Sequence, residues 1–287
     1  MSVPHVKAFF DHATNSVSYV VADPATNACA IIDPVLDYDA ATGRTARHSA
    51  DQMLAYVRAE NLRPAWIVET HVHADHLSAG DLLRRETGVR IGIGAGIVEV
   101  QKTFATLFNL KDLACDGRQF DRLFADGEEF QIGGLQARVM HTPGHTPACV
   151  TYIIGDAAFV GDTMFMPDFG SARADFPGGC AATLFQSMRK ILSLPDRTRI
   201  FCCHDYKAAG RDAFAWETTV GDQRSANLHV RDGVSEAEFV ALRTARDKSL
   251  NMPALLIPAI QINLRAGALP PPEDNGIAYL KVPLNAV

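Results

Sequence analysis

Two short apolar runs open the chain, residues 17–21 and 28–32, and the turn-forming stretch Asp23-Pro24-Ala25-Thr26-Asn27 separates them. Such a pair predicts a hairpin. A helix is predicted over about residues 49–60, where Met53, Leu54 and Val57 share one face. The strand-like run 65–69 leads into Thr70-His71-Val72-His73-Ala74-Asp75-His76, and a helix through Leu82 and Leu83 ends at Gly88. Residues 97–110 have helical periodicity. From Asp126 the pattern turns to strands: a hairpin over 131–140 around Gly133-Gly134, then 149–154 and 158–160. A helix over 183–194, a strand over 199–203 and a helix over 235–250 follow, the last with Ser235 as N-cap and Glu238 at the capping-box position. The proline-rich end (Pro253, Pro258, Pro270, Pro271, Pro272) reads as extended chain on the surface. This order suggests two similar halves, each a sheet with helices outside, and so a four-layer αββα sandwich of the α/β class.

Composition narrows the function. The 287 residues are 47% hydrophobic, enough for a sizeable core, and the formal net charge is −6. An acidic chain without a basic stripe argues against nucleic acid as a partner. No apolar stretch approaches the roughly 18–20 residues of a membrane span. The start lacks the pattern of a secretion signal, and the six cysteines form no CxxC pair, so reduced thiols and a cytoplasmic location are expected. Residues 1–230 read as the catalytic domain and 231–287 as a helix and tail packed on it. Gly92-Ile93-Gly94-Ala95-Gly96 lacks the spacing of a dinucleotide loop and reads as a turn before a helix. Trp66 and Trp216 read as packing residues.

Six of the ten histidines fall in three short segments. His71, His73, Asp75 and His76 form one cluster on a loop after a strand, a spacing that lets alternate side chains converge. Imidazole and carboxylate donors suit Zn(II), Fe(II) or Mn(II). His141-Thr142-Pro143-Gly144-His145 is a stiffened turn in which His145 is the better candidate ligand. Asp162 closes the buried run 158–160, and a carboxylate there needs a partner that a metal would supply. His204 ends the strand 199–203. All four segments therefore sit at strand ends, where they can share one edge of the fold.

With T-H-x-H-x-D-H at Thr70 to His76, followed by His145, Asp162 and His204, the sequence resembles the metallo-β-lactamase superfamily. That resemblance implies the metallo-β-lactamase version of the αββα sandwich. The segments Ile32-Asp33-Pro34-Val35, Pro143-Gly144-His145-Thr146-Pro147, Arg173-Ala174-Asp175-Phe176 and His204-Asp205-Tyr206 are similar to those of the sulfur (persulfide) dioxygenases, as is the stretch 253–263. The bacterial branch called β-lactamase-like hydrolases, linked to hydrogen sulfide detoxification, looks most similar. The likeness implies one Fe(II) per chain on His71, His145 and Asp162. It implies oxidation of a persulfide by dioxygen to sulfite and thiol, with glutathione as the carrier. It leaves His73, Asp75, His76 and His204 as pocket residues or a second site. Arg173 would stabilise anionic sulfur or oxygen, or else pair with Asp175 or Asp168. Tyr206 would hydrogen-bond to a metal ligand or pack in the core. Extra residues between about 94 and 124 would cover one side of the site. The alternative is a zinc hydrolase with one or two Zn(II), a glyoxalase II-like thiolesterase or a lactonase; a non-catalytic binder would be expected to have lost ligands. A homodimer is left open.

Overall fold

The computed structural model describes residues 3–286. The first half runs β1 (His5–Asp11), β2 (Ser16–Ala22), β3 (Ala28–Ile32), β4 (Val35–Asp39), β5 (Arg44–Ala46), α1 (His48–Ala59), β6 (Arg63–Val68), β7 (Leu77–Ser78), α2 (Gly80–Thr87), β8 (Ile91–Gly94), α3 (Ile97–Leu107) and β9 (Arg122–Phe124). Its main sheet has the order β1-β2-β3-β6-β8-β9, and β4, β5 and β7 form a small side sheet. The second half runs β10 (Glu129–Ile132), β11 (Leu135–His141), β12 (Val150–Ile154), β13 (Ala157–Phe159), α4 (Ala181–Leu192), β14 (Arg199–Phe201), β15 (Glu217–Thr219), α5 (Val220–Ala226), α6 (Glu236–Asp247) and α7 (Leu256–Asn263). Its six strands lie in chain order in one sheet.

Side-chain alternation along the strands builds the layers. On β2, Val17, Tyr19 and Val21 face the second sheet and meet Val139, Tyr152, Phe159 and Phe201. Val20 and Ala22 face the other way, into a cluster with Met53 and Val57 of α1 and Phe104 of α3. On the outer face of the second sheet, Ala158 and Ile200 pack under Leu184, Met188 and Ile191 of α4 and Phe239 of α6. Both faces of each sheet are thus covered, which explains why β2 and β3 are buried at every position. The architecture is the expected αββα sandwich.

The sheets are stitched together at the edge where the candidate ligands emerge. Val17 donates its N–H to the Cys203 carbonyl at 2.7 Å, Val150 donates to the Thr70 carbonyl at 2.9 Å, and Ser16 bridges to His204. The Tyr19 hydroxyl, buried between the sheets, donates to the Cys202 carbonyl.

Three expectations need correction. Gly92-Ile93-Gly94 is not a turn but part of β8, buried between β6 and β9, and only Ala95-Gly96 turns into α3. The stretch after Pro253 is not wholly extended, because residues 256–263 form α7, whose Leu256, Ala259, Ile260 and Ile262 are buried. Pro258 fits there because it is the third residue of the helix, where a missing N–H costs no intrahelical bond. Nor does the segment 94–124 wall the active site. α3 turns Ile97, Val100, Gln101 and Phe104 into the core, and the cleft is walled instead by residues 165–176 and 243–255. Among the described residues, no helix is long and apolar enough to cross a membrane.

Candidate metal centre

Four strands deliver the candidate ligands to one edge. β6 ends at Val68, just before His71, and β11 ends at His141, which opens the turn to His145. β13 ends at Phe159, before a short 3-10 turn that carries Asp162, and β14 ends at Phe201, before His204. Two glycines allow the close approach. Gly161 has φ +50°, and a Cβ there would stand 2.6 Å from Thr70 Oγ1. Gly144 has φ +133°, and a Cβ there would collide with the backbone of Leu184 at 2.3 Å. Larger residues would push Asp162 off the His71 loop and lift the His145 turn from α4.

His71, His145 and Asp162 converge. Asp162 Oδ2 lies 3.9 Å from His71 Nε2 and 3.6 Å from His145 Nε2, all three residues buried. Donors bound about 2.1 Å from a common ion stand roughly 3–3.5 Å apart, so a small contraction would complete a shared site. His71 Nε2 and Asp162 Oδ1 are buried and have no hydrogen-bond partner among the described residues, and the same holds for Nε2 of His73, His76 and His204, which fits a metal-binding cluster.

Neighbouring groups fix which nitrogen of each ring faces Asp162. Thr70 Oγ1 donates to Asp33 Oδ2 at 2.8 Å, so it can only accept from His71 Nδ1, 3.0 Å away. His145 Nδ1 donates to the main-chain carbonyl of Arg173 at 2.8 Å. Each imidazole is thereby left with its Nε2 lone pair facing Asp162. Burial, and then the neighbouring His73 and His145, hold the His71 pKa well below the usual range, which favours the neutral ring that a metal ligand requires.

The other four candidates sit around this triad. His204 Nδ1 donates to the Asn15 carbonyl at 3.2 Å, and its Nε2 lies 3.3 Å from Asp162 Oδ1 and 3.4 Å from Asp75 Oδ2. Burial opposes its protonation, but the Asp75 carboxylate prevails and raises its pKa. Asp75 also faces His76 Nδ1 at 3.4 Å, and Ser16 Oγ joins both. His73 lies outside the triad: its Nε2 is 3.1 Å from Asp33 Oδ1 and 3.4 Å from Glu69 Oε2, both buried, and it also groups at ligand distance with Asp75 and His76 and with Cys203 and His204. Burial opposes the charged ring, yet Asp33 outweighs it and the His73 pKa is raised. Burial in turn raises the Glu69 pKa, while His73 helps to hold that of Asp33 low despite its burial.

Arg173 and Tyr206 take up positions on the cleft wall. The Arg173 guanidinium is committed: Nε and Nη2 donate to Asp175 at 2.6 and 2.8 Å, and Nη1 donates to the Asn251 carbonyl at 2.8 Å. Of the two salt bridges considered from sequence it makes the one to Asp175; Asp168 pairs with Arg211 instead. The Tyr206 ring stacks on His204 at 5.6 Å, and among the described residues its hydroxyl makes no hydrogen bond to a ligand histidine. The cleft has a volume of about 510 Å³, with Phe165, Phe169, Phe176 and Leu250 giving it apolar walls above Asp162.

Three residues that shape the site escaped the sequence reading. Asp33, noted only within the family-like segment Ile32-Asp33-Pro34-Val35, anchors Thr70 and faces His73. Glu69 accepts from Ser78. Asn263, at the end of α7, donates to the carbonyls of His73 and His76 at 2.9 and 2.8 Å and accepts from Ser78 N–H at 2.7 Å. The signal for Asp33 and Glu69 was the one used for Asp162, a carboxylate closing an apolar strand; Asn263 fell only within the family-like stretch 253–263, and no local pattern marked its role.

Comparison with known proteins gives this geometry a context. The family model described as "Metallo-beta-lactamase superfamily" matches residues 13–204. A "Probable metallo-hydrolase" of Burkholderia pseudomallei is 53% identical over 98% of this chain and 99% of its own length. A "Beta-lactamase hydrolase-like protein" of Xylella fastidiosa is 53% identical over the whole chain, which spans 66% of that relative. The mitochondrial persulfide dioxygenase ETHE1 of Bos taurus is 30% identical over 93% of this chain and 91% of its own. Among solved structures, ETHE1 from Myxococcus xanthus superposes with a TM-score of 0.73 at 28% identity, covering 92% of this chain and 100% of that one. The chain belongs to the metallo-beta-lactamase superfamily, in the part of it that includes the ETHE1 persulfide dioxygenases.

Proposed function

We propose that this protein is a persulfide dioxygenase with one Fe(II) per chain on His71, His145 and Asp162. The observation that carries the reading is the division of labour among the histidines. Two imidazoles offer Nε2 to one carboxylate oxygen, while His73, the third histidine that a zinc pair would need, faces Asp33 and Glu69. Two histidines and one carboxylate on one face of an iron would leave three positions for a sulfur and dioxygen to bind and exchange electrons. The protein's part is to hold and shield them. Thr70 and the Arg173 carbonyl fix the two rings, and Asn263 pins the His73–His76 loop. Phe165, Phe169 and Phe176 give the substrate sulfur an apolar approach. The Tyr206 hydroxyl, free of ligand contacts, is available to the substrate.

The reaction consumes one dioxygen and one water, converts the terminal persulfide sulfur to sulfite and releases the thiol. A cleft of about 510 Å³ suits a carrier of tripeptide size, and we take glutathione as that carrier. We read residues 231–287 as part of the same catalytic unit, since both α6 and α7 reach the site.

A second reading has its own support. Asp162 Oδ1 faces His204, which also faces Asp75, so a second ion beside the first would find donors. A pair of zinc ions there would serve a thiolester hydrolase, and relatives with 53% identity carry hydrolase-like names. Oxygen uptake with glutathione persulfide, run on iron-loaded protein beside a thiolester assay on zinc-loaded protein, separates the two. The dioxygenase reading expects uptake that matches sulfite formed; thiolester turnover without uptake would overturn it.

A further inference from the structure

The segment 171–176 passes between the candidate ligands and α6, and it meets the triad at the Arg173 carbonyl, which accepts from His145 Nδ1 at 2.8 Å. That carbonyl belongs to the same peptide group as the N–H of Ala174. Asp247 Oδ2 accepts this N–H at 3.0 Å. A peptide group is planar, so fixing its N–H fixes the direction of its C=O. Hydrogen bonds at both ends also polarise the group and make the carbonyl a better acceptor. A carboxylate is thus linked to a histidine through one intervening peptide.

Asp247 is held in turn by Arg243, whose Nε and Nη2 lie 2.8 and 2.6 Å from Asp247 Oδ1. Arg243 Nη1 donates to the Ser171 carbonyl at 3.1 Å, so the pair grips the segment on both sides of Arg173. Both residues are buried, with 1% and 6% of their surface exposed. A buried ion pair adds little stability over an apolar pair of the same volume. What an apolar pair could not provide is a donor and an acceptor aimed at this main chain. Both residues lie beyond position 204, where the family match ends.

We infer that Asp247, held by Arg243, is a positioning residue for His145, acting through the peptide group between Arg173 and Ala174. The inference rests on His145 being a metal ligand, but part of its test needs no metal. In the metal-free protein, the His145 ring should carry its proton on Nδ1, visible as a hydrogen-bonded imidazole signal in nitrogen-15 NMR. Asp247→Ala should weaken that signal or move the proton to Nε2. In the same variant, affinity for added Co(II) should fall about tenfold to a hundredfold, and the visible spectrum of the Co(II) protein should shift. Asp247→Asn, which keeps an acceptor but loses the charge, should lie between, and Arg243→Lys, whose single ammonium cannot grip both Asp247 and Ser171, should lower the affinity in the same direction. A lowered Tm with unchanged His145 signal and unchanged Co(II) affinity would overturn the inference and leave the pair a packing feature. Should Asp247→Ala fail to fold, Asp247→Asn decides by the same two readouts.

Discussion

The side-chain amide of Asn263 donates to the carbonyl of His76 at 2.8 Å, across 187 residues of sequence. The same amide reaches His73, and its oxygen accepts from Ser78, so one side chain at the end of α7 holds three points of the metal loop. Asn263→Ala would strand two buried carbonyls and one buried N–H. The expected cost is about 3 kcal/mol of stability, with weakened metal binding as the loop relaxes. Urea unfolding and metal titration of the same preparation check this. Asn263→Asp should be nearly as damaging, because a carboxylate cannot donate.

His229 makes stability depend on pH. Burial, and then Arg243 and Arg246, push its pKa down to about 4. Below about pH 6.5 the unfolded chain takes up a proton that the folded chain refuses, so stability falls as pH drops from there to about 4 and then levels off. The loss attributable to this group is at most about 3 kcal/mol. His229 Nδ1 accepts from Ser171 N–H at 3.0 Å, so protonation there would also loosen the segment that carries Arg173. Urea unfolding of the metal-free protein between pH 4 and 8 should show a flatter profile in His229→Gln than in the parent.

Tyr206 lines the cleft, and its hydroxyl makes no bond to a ligand histidine. Tyr206→Phe should therefore keep its metal content and its stacking on His204. If the hydroxyl meets the substrate, KM rises severalfold while kcat changes less. Steady-state kinetics with metal analysis on one batch test both halves.

Asp75 and His204 distinguish one metal from two. On the mononuclear reading, Asp75→Ala and His204→Ala each keep about one bound iron, because neither supplies a donor to the triad of His71, His145 and Asp162. Loss of all metal in either variant would favour a shared two-ion cluster.

Much of this was legible in the sequence, for identifiable physical reasons. The strand-end position of the candidate ligands followed from apolar runs that stop near His71, Asp162 and His204, and α6 followed from its capping box, which is present at Ser235 and Glu238. α7 was missed because Pro253 and Pro258 read as breakers, although a proline in a first turn breaks nothing. Strand β1 was missed because none of its residues is buried, which leaves only a faint alternation. Asp33 and Glu69 were within reach, had the demand for a buried partner been applied to every carboxylate that ends an apolar strand. The roles of Asn263 and Asp247 were not, since main-chain contacts across the fold leave no trace in local pattern.

The central claim is that His71, His145 and Asp162 share one ion. The most direct measurement is anaerobic titration of the metal-free protein with Fe(II), repeated on His71→Ala, His145→Ala and Asp162→Ala. One tight equivalent in the parent and none in the three variants is the predicted result. Two equivalents in the parent, or undiminished binding in any of the three, would contradict it.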